Sequence, residues 1–343
     1  MKLKGTTNLV TGAAGFIGSH ECRRLLNEGA KVIGADNLLA GRMWRVEELL
    51  KNKNFTFHKL DLRDAKNCLT ATKDVDYVWH FAANMGGISF ITKVGADVMR
   101  DNLVMNVNMV EASRKNDVKR MFYSSSACVY PEEKQSNLGV IPLKESDAFP
   151  ANPDTFYGWE KLVTEKVCES YSKDYGMEFR ISRFHNVYGP YGNFDDERAK
   201  VIALLCRAAI LYPKETITIY GDGKQERSYL FIDDAIEATV RLMLSDFTKP
   251  LNIGTDRLIS VIDLVNLVIE ISGKDIDPVY DATRPQGVRS RNADLTLIKK
   301  VLGWDPKVSL EEGIKENYKW MNEFFKAKGV FEKDMTVEEI QSL

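Results

Sequence analysis

Long apolar runs, paired cysteines and an excess of charge of either sign are all missing from this chain. No stretch approaches the roughly 20 apolar residues of a membrane span. The N-terminus, Met1-Lys2-Leu3-Lys4-Gly5, leads into a short apolar strand and not into the apolar core of a signal peptide. The five cysteines, Cys22, Cys68, Cys128, Cys168 and Cys206, are scattered, odd in number and without CxxC spacing. That argues against a disulfide framework and against a zinc site. No metal is expected, and a reducing, cytoplasmic setting fits. With 47 Lys and Arg against 49 Asp and Glu, the formal net charge is −2, which offers neither nucleic acid nor a membrane surface an electrostatic hold. An anionic ligand must therefore be gripped by locally placed Arg and Lys.

What is present is room for a core and a regular alternation. A chain of 343 residues with 44% hydrophobic content accommodates one large α/β domain with a smaller appended lobe. Apolar strands are predicted at residues 8–11, 31–35, 55–60, 77–81, 120–124 and 178–183, with amphipathic helices between several of them, notably over 102–116. This rhythm predicts a doubly wound parallel sheet of the Rossmann kind. The pattern changes after Val187, where Tyr188-Gly189-Pro190-Tyr191-Gly192 opens a second lobe with a helix near 201–211 and a strand near 217–220. Segments 229–232 and 251–254 are expected to return to the main sheet. The expected division is 1–187 with returns near 229–254 for the nucleotide domain, 188–228 and 255–330 for a substrate lobe, and 331–343 for a peripheral tail.

Thr11-Gly12-Ala13-Ala14-Gly15-Phe16-Ile17-Gly18 follows the first predicted strand and opens a predicted helix. Glycines there permit a tight turn and let backbone N–H groups of the Gly12–Gly18 loop approach a pyrophosphate at the helix N-terminus. Asp36 ends the next strand, 18 residues beyond Gly18, where a carboxylate binds the adenosine ribose diol and repels a 2′-phosphate. NAD is thus expected as the cofactor in preference to NADP. Asp61-Leu62 follows the third strand, at the level of the adenine. Ala82-Ala83 follow the fourth and are small enough to let the cofactor lie close. Asn37 and Asn102 complete the expected cofactor set.

Tyr157 and Lys161 stand at i and i+4 of a predicted helix and so share a face. A free tyrosine, with a pKa of about 10, is a poor base near neutrality, and a neighbouring ammonium favours the phenolate. Lys161 is also placed to hold the nicotinamide ribose. Ser126, at the end of a strand, is placed to hydrogen-bond the same sugar hydroxyl. Cys128, two residues on, adds a thiol that oxidation and reduction alone do not require, and points to proton chemistry beside a transient ketone.

These motifs, with Arg183-Phe184-His185-Asn186-Val187-Tyr188-Gly189-Pro190 and Gly221-Asp222-Gly223-Lys224-Gln225-Glu226-Arg227, resemble the extended short-chain dehydrogenase/reductase family in its nucleotide-sugar epimerase/dehydratase branch, over nearly the whole chain. Within that branch Ala82-Ala83-Asn84-Met85-Gly86-Gly87, Ser125-Ser126-Ala127-Cys128-Val129-Tyr130-Pro131-Glu132 and Gly287-Val288-Arg289-Ser290-Arg291-Asn292 are most similar to the GDP-mannose 3,5-epimerase family. That resemblance implies that Cys128 and Lys200 form an acid/base pair. It also implies that Gly86, Gly87, Asn186, Gln225, Arg227 and Arg289, with the Ser126-Ala127-Cys128 segment and Tyr157, contact the nucleotide sugar. A homodimer joined through helices 102–116 and 157–175 is implied as well, with Val104, Val107, Met109 and Val110 as apolar surface. Of Arg289 and Arg291, one is expected to bind phosphate and the other to face solvent. The sequence departs from the family at Asn84, where the plant enzymes carry Asp, and at Ala208, in place of a substrate-holding Lys.

Three other functions compete with a 3,5-epimerase. A UDP-glucose 4-epimerase needs the triad but no carbon acid/base. A 4,6-dehydratase usually needs an Asp-Glu pair where Ala127-Cys128 stand. A non-catalytic NAD-binding scaffold has no use for an intact triad.

Overall fold

The computed structural model of the chain describes residues 2–139, 141–194, 197–283, 287–341 and 343. Strand β1 (Thr7–Thr11) runs through the glycine loop into α1 (Phe16–Asn27). Then come β2 (Lys31–Asp36), β3 (Phe55–Lys59), α2 (Ala65–Ala71), β4 (Tyr77–His80), α3 (Ile88–Lys93), the long α4 (Gly95–Lys115), β5 (Arg120–Ser126), α5 (Phe156–Tyr175) and β6 (Phe179–Phe184). The second half holds β7 (Val187–Tyr188), α6 (Val201–Leu211), β8 (Thr218–Tyr220), β9 (Glu226–Arg227), β10 (Leu230–Phe231), α7 (Ile232–Leu244), β11 (Leu251–Ile253), β12 (Ile259–Ser260), α8 (Val261–Ser272), β13 (Val279–Asp281), β14 (Ser290–Arg291), α9 (Thr296–Leu302), α10 (Leu310–Ala327) and α11 (Val337–Gln341).

Seven strands form one sheet in the order β11-β6-β5-β4-β1-β2-β3, every neighbouring pair parallel. The chain winds outward from β1 in one direction and restarts at β4 in the other. A crevice therefore opens beyond the carboxyl ends of β1 and β4, where ligands of such sheets bind. Helices cover both faces, so β4 and β6 are buried at every position. The period of two divides their neighbours cleanly. Leu9, Val78, Met121 and Tyr123 pack on the side of α2, α4 and α5, while Val10, Trp79 and Phe122 belong to the core on the other side.

The ends of α5 set the position of its tyrosine and lysine. Thr155 caps the first turn by accepting from the Gly158 N–H at 3.2 Å, and Gly176 ends the helix in the left-handed conformation at φ +70°. A Cβ on Gly158 would stand 2.1 Å from the Cys128 carbonyl oxygen. The missing side chain is what lets α5 lie against the turn that follows β5.

The remaining strands make small sheets over the carboxyl edge: β12-β9-β14, β13-β8 and β10-β7. Helices α6, α8 and α10 pack together beneath them. One contiguous apolar core joins Val10 and Val32 of the main sheet to Leu205 and Leu264 of this group. Two expectations change. Segment 251–254 does return to the main sheet, as β11 beside β6, but Leu230–Phe231 pairs with β7 alone. The residues expected to form a peripheral tail are anchored, with Ile340 fully buried in the core and Asp334 paired with Lys214.

Candidate active site

A cavity of about 930 Å³ runs from the glycine loop, across the ends of β1, β4 and β5, to the small sheets. At one end the cradle fits a dinucleotide. Gly12 has φ +68°, and a Cβ there would stand 3.0 Å from the Ala82 nitrogen. Cβ atoms on Gly15 and Gly18 would lie 2.9 and 2.1 Å from the Gly12 carbonyl oxygen. Gly15 is the N-cap of α1 and provides no side-chain acceptor, so the first-turn N–H groups beside Phe16, Ile17 and Gly18 are left to an anion in the cavity. Asp36 lines the same end. Its carboxylate accepts from the Ala14 N–H at 3.0 Å and the Leu38 N–H at 2.8 Å. Burial raises its pKa while both N–H groups oppose the shift.

Asn37, Asp61, Leu62, Ala82 and Ala83 also line the cavity. Asp61 is gripped by the Arg63 guanidinium at 2.6 Å, which holds its carboxyl below the usual range. Two of the expected cofactor residues act from behind the wall. The Ala14 N–H is committed to Asp36, and Asn102, fully buried, clamps the Asn84 backbone by accepting at 2.6 Å and donating at 3.2 Å.

Ser126, Ala127, Cys128, Tyr157 and Lys161 come together in the middle of the cavity. The Ser126 hydroxyl accepts from the Cys128 N–H at 3.2 Å and so caps the turn that presents the thiol. Burial pushes the Tyr157 phenol well above its ordinary value, with the Glu160 and Cys128 charges adding to the shift and a hydrogen bond with Ser126 opposing it. Desolvation thus works against the phenolate that Lys161 was expected to favour. Lys161 is itself buried, and its ammonium is drawn below the lysine range by burial, against the pull of Glu160 and Cys128. Its Nζ lies 5.6 Å from the Tyr157 ring centre.

Lys200 precedes α6 and lines the same cavity. Protein atoms surround it and draw its ammonium below the ordinary range, opposed by the charge of Cys128. Its side chain is nonetheless reached by solvent through the cavity, so the desolvation is partial. Gly86 and Gly87 face the Lys200 loop, where Cβ atoms would meet Arg198 Cα at 2.9 Å and the Ala199 carbonyl oxygen at 3.0 Å. Arg198 locks that approach by donating to Asn84 Oδ1 at 2.9 Å and the Met85 carbonyl at 3.1 Å, with its guanidinium over the Phe90 ring.

Asn186, Gln225 and Arg227 line the far end, while Ala208 contributes only a methyl group to the wall where the family carries a Lys. The two arginines of the 287–292 segment exchange their expected roles. Arg289 pairs with Asp222 at 3.1 Å away from the cavity lining. Arg291 is buried, lies opposite Arg227 in the β14–β9 ladder, and faces the cavity. Arg289 precedes β14 whereas Arg291 lies within it, and that difference in position separates the two.

One buried network has no counterpart in the sequence reading. Thr11 Oγ1 meets His80 Nδ1 at 2.7 Å, and His80 Nε2 meets Asn106 Oδ1 at 2.9 Å. The Asn106 amide donates to Glu160 Oε2 at 3.2 Å, and Asn102 donates to Glu160 Oε1 at 2.9 Å. Glu160 Oε1 lies 3.8 Å from Lys161 Nζ. The signal available in the sequence was the i, i+4 pair of asparagines on α4 and the glutamate inside the Tyr157–Lys161 spacing.

The sequence pattern of the NAD dependent epimerase/dehydratase family matches residues 8–254. The chain is 45% identical over 325 residues to GDP-mannose 3,5-epimerase of Arabidopsis thaliana, covering 93% of this chain and 84% of that protein. Among solved structures, the UDP-glucose 4-epimerase of Thermotoga maritima with UDP-glucose superposes with a TM-score of 0.85 at 32% identity, over 93% of this chain and 99% of the other. The UDP-glucuronic acid 4-epimerase of Bacillus cereus, in complex with UDP-glucuronic acid and NAD, gives 0.81 at 27% identity, over 93% and 99%. With a glycine cradle, a ribose-level carboxylate and a Ser-Tyr-Lys group around one cavity, the chain belongs to the NAD dependent epimerase/dehydratase family.

Proposed function

We propose that this protein is a GDP-hexose 3,5-epimerase acting on GDP-mannose, giving GDP-L-galactose by inversion at C3 and C5 and GDP-L-gulose by inversion at C5 alone. The observation that carries this reading is that Cys128 and Lys200 both line the cavity of the Ser126–Tyr157–Lys161 group, within electrostatic reach of one another. Gly12, Gly15, Gly18 and Asp36 would hold NAD, which when bound supplies the acceptor for the hydride of hexose C4 and returns it at the end. Tyr157 takes the proton of the C4 hydroxyl, Ser126 hydrogen-bonds that oxygen, and Lys161 provides the neighbouring positive charge. The resulting ketone acidifies the C–H bonds at C3 and C5. Cys128 removes a proton from one face and Lys200 delivers one to the other, so each inversion costs one proton and gains one, with no net oxidation.

The test is turnover of GDP-mannose in deuterated water. The wild-type protein is expected to place deuterium at C3 and C5, and Cys128→Ala to bind NAD but exchange very little. Unimpaired exchange in Cys128→Ala removes the thiol from the mechanism. The likeness to the Thermotoga 4-epimerase supports a second reading, whose mark is C4 inversion of UDP-glucose without exchange of ring protons.

A homodimer is proposed on the surface of α4 and α5. Met109 and Val110 are spent on the core, whereas Val104, Val107 and, on α5, Phe156 and Val163 remain exposed. A monomer mass by light scattering at micromolar concentration would refute it. None of the helices of the described residues is long and apolar enough to cross a membrane. With five free thiols, the proposed location is the cytoplasm.

A further inference from the structure

The charge around Cys128 is uneven. Lys161 of α5, Lys200 before α6, Arg227 of β9 and the Tyr157 phenol all lie within electrostatic reach of Cys128. Among the described residues one hydrogen bond reaches the sulfur, on a side chain otherwise packed against the Ile91, Val98 and Tyr157 cluster: Arg291 of β14 donates from Nη1 to Cys128 Sγ at 3.2 Å. That guanidinium is held in place from two other sides. Its Nε donates to Gln135 Oε1, and Gln135 is itself buried and fixed by its amide to the Tyr130 and Pro131 carbonyls, both at 3.0 Å. Its Nη2 lies 3.7 Å from Asp154 Oδ1. The ladder pairing of Arg291 with Arg227 places a second guanidinium beside it, and this neighbour, with burial, draws Arg227 down to about 10.

A sulfur that accepts from a cationic N–H is held in one orientation, and its anionic form gains a charge-assisted hydrogen bond that the thiol form lacks. Apolar neighbours would do the reverse. We propose that Arg291 is a positioning residue for proton abstraction, fixing the Cys128 side chain towards the cavity and sustaining its thiolate. This inference rests on the reading of Cys128 as a carbon base, yet it can be tested without turnover.

The other four cysteines are buried, so iodoacetamide added to the native protein should report on Cys128, with the site confirmed by peptide mass mapping. Alkylation of the wild type over a range of pH sets the reference profile. In Arg291→Met it should be roughly ten- to a hundred-fold slower at pH 7 and recover at alkaline pH, because the charged hydrogen bond has gone but the thiol remains. Arg291→Lys, which keeps a cation without the planar fork, should fall between the two. It also decides the matter if the methionine variant does not fold. A wild-type pH profile in either variant that still binds NAD and melts cooperatively would overturn the proposal, as would a slowing that is the same at every pH, which reports altered access only. If Cys128→Ala keeps full deuterium exchange, the base reading fails while the alkylation profile still judges the Arg291 contact by itself.

Discussion

Substitution of Gly18 by alanine tests the cofactor cradle at its tightest point. Gly18 lies within α1, so the backbone tolerates alanine, and helix propensity alone favours it by about 1 kcal/mol. Space does not. The added Cβ would stand 2.1 Å from the Gly12 carbonyl oxygen and 2.8 Å from its carbon. Against an ordinary contact of about 3.5 Å the shortfall is roughly 1.4 Å, and the obstacle is backbone that cannot rotate away. Either the Gly12 turn or the first turn of α1 must shift by on the order of 1 Å, moving the N–H groups that face the pyrophosphate. Misplacement of that size costs about a hundredfold, or roughly 2.7 kcal/mol of binding. Gly15→Ala, with its Cβ at 2.9 Å from the same oxygen, should lose less. Calorimetric titration of the NAD-stripped proteins gives both affinities, with thermal melts to show that each is folded. Wild-type affinity in Gly18→Ala, or the reverse order of the two variants, would refute the cradle.

Gly158→Ala should lower turnover by at least tenfold while leaving NAD binding within a few-fold, because its Cβ would force α5 off the Cys128 carbonyl and carry Tyr157 with it; steady-state assay and NAD titration separate the two effects. Arg183→Met should destabilise the fold by about 3–5 kcal/mol in urea melts, since it strands the buried Glu165 carboxylate now paired at 2.7 Å. Burial pushes the Glu160 carboxyl up to about 7 from 4.5. Because the folded state binds that proton more tightly than the unfolded state, its contribution is full below about pH 4.5 and is lost as pH rises through about 7. Glu160→Gln should therefore show a stability loss between pH 5 and pH 8 smaller than that of wild type by on the order of 2 kcal/mol in paired urea melts.

Local spacing made part of this site legible. The glycines of 12–18, the carboxylate of Asp36 and the i, i+4 pair of Tyr157 and Lys161 each depend on a strand end or a helix turn, and a strand end or a turn is written in consecutive residues. The seven strands of the main sheet were foreseen for the same reason, whereas the eighth expected segment, 229–232, makes a separate ladder with β7 through Leu230 and Phe231. The anchoring of Ile340 depends on a surface assembled from distant segments, and no local pattern records it. Glu160 was passed over because its meaning needs Asn102, Asn106 and His80 from two other elements. Arg289 and Arg291 carry the same side chain two residues apart, and what separates them is that the Gln135 side chain, 156 residues from Arg291, meets one guanidinium and Asp222 meets the other.

Those distant meetings also resolve how a chain of net charge −2 serves an anionic ligand. Cations are concentrated where β9, β14, α5 and the Lys200 loop converge, bringing Arg227, Arg291, Lys161 and Lys200 around one thiol. The acids nearest to them are Glu160, buried beside a lysine, and Asp154, partly buried beside an arginine. Burial acts against three of these charges: it lowers Lys161 and Lys200 and raises Glu160. A nucleotide diphosphate entering the cavity therefore brings a counter-charge that opposes the lowering of both ammonium groups. Substrate binding and proton uptake are coupled by that sign, so affinity should fall as pH rises past the point where the free protein loses those protons, and it should do so in Tyr157→Phe as well, in which no chemistry intervenes.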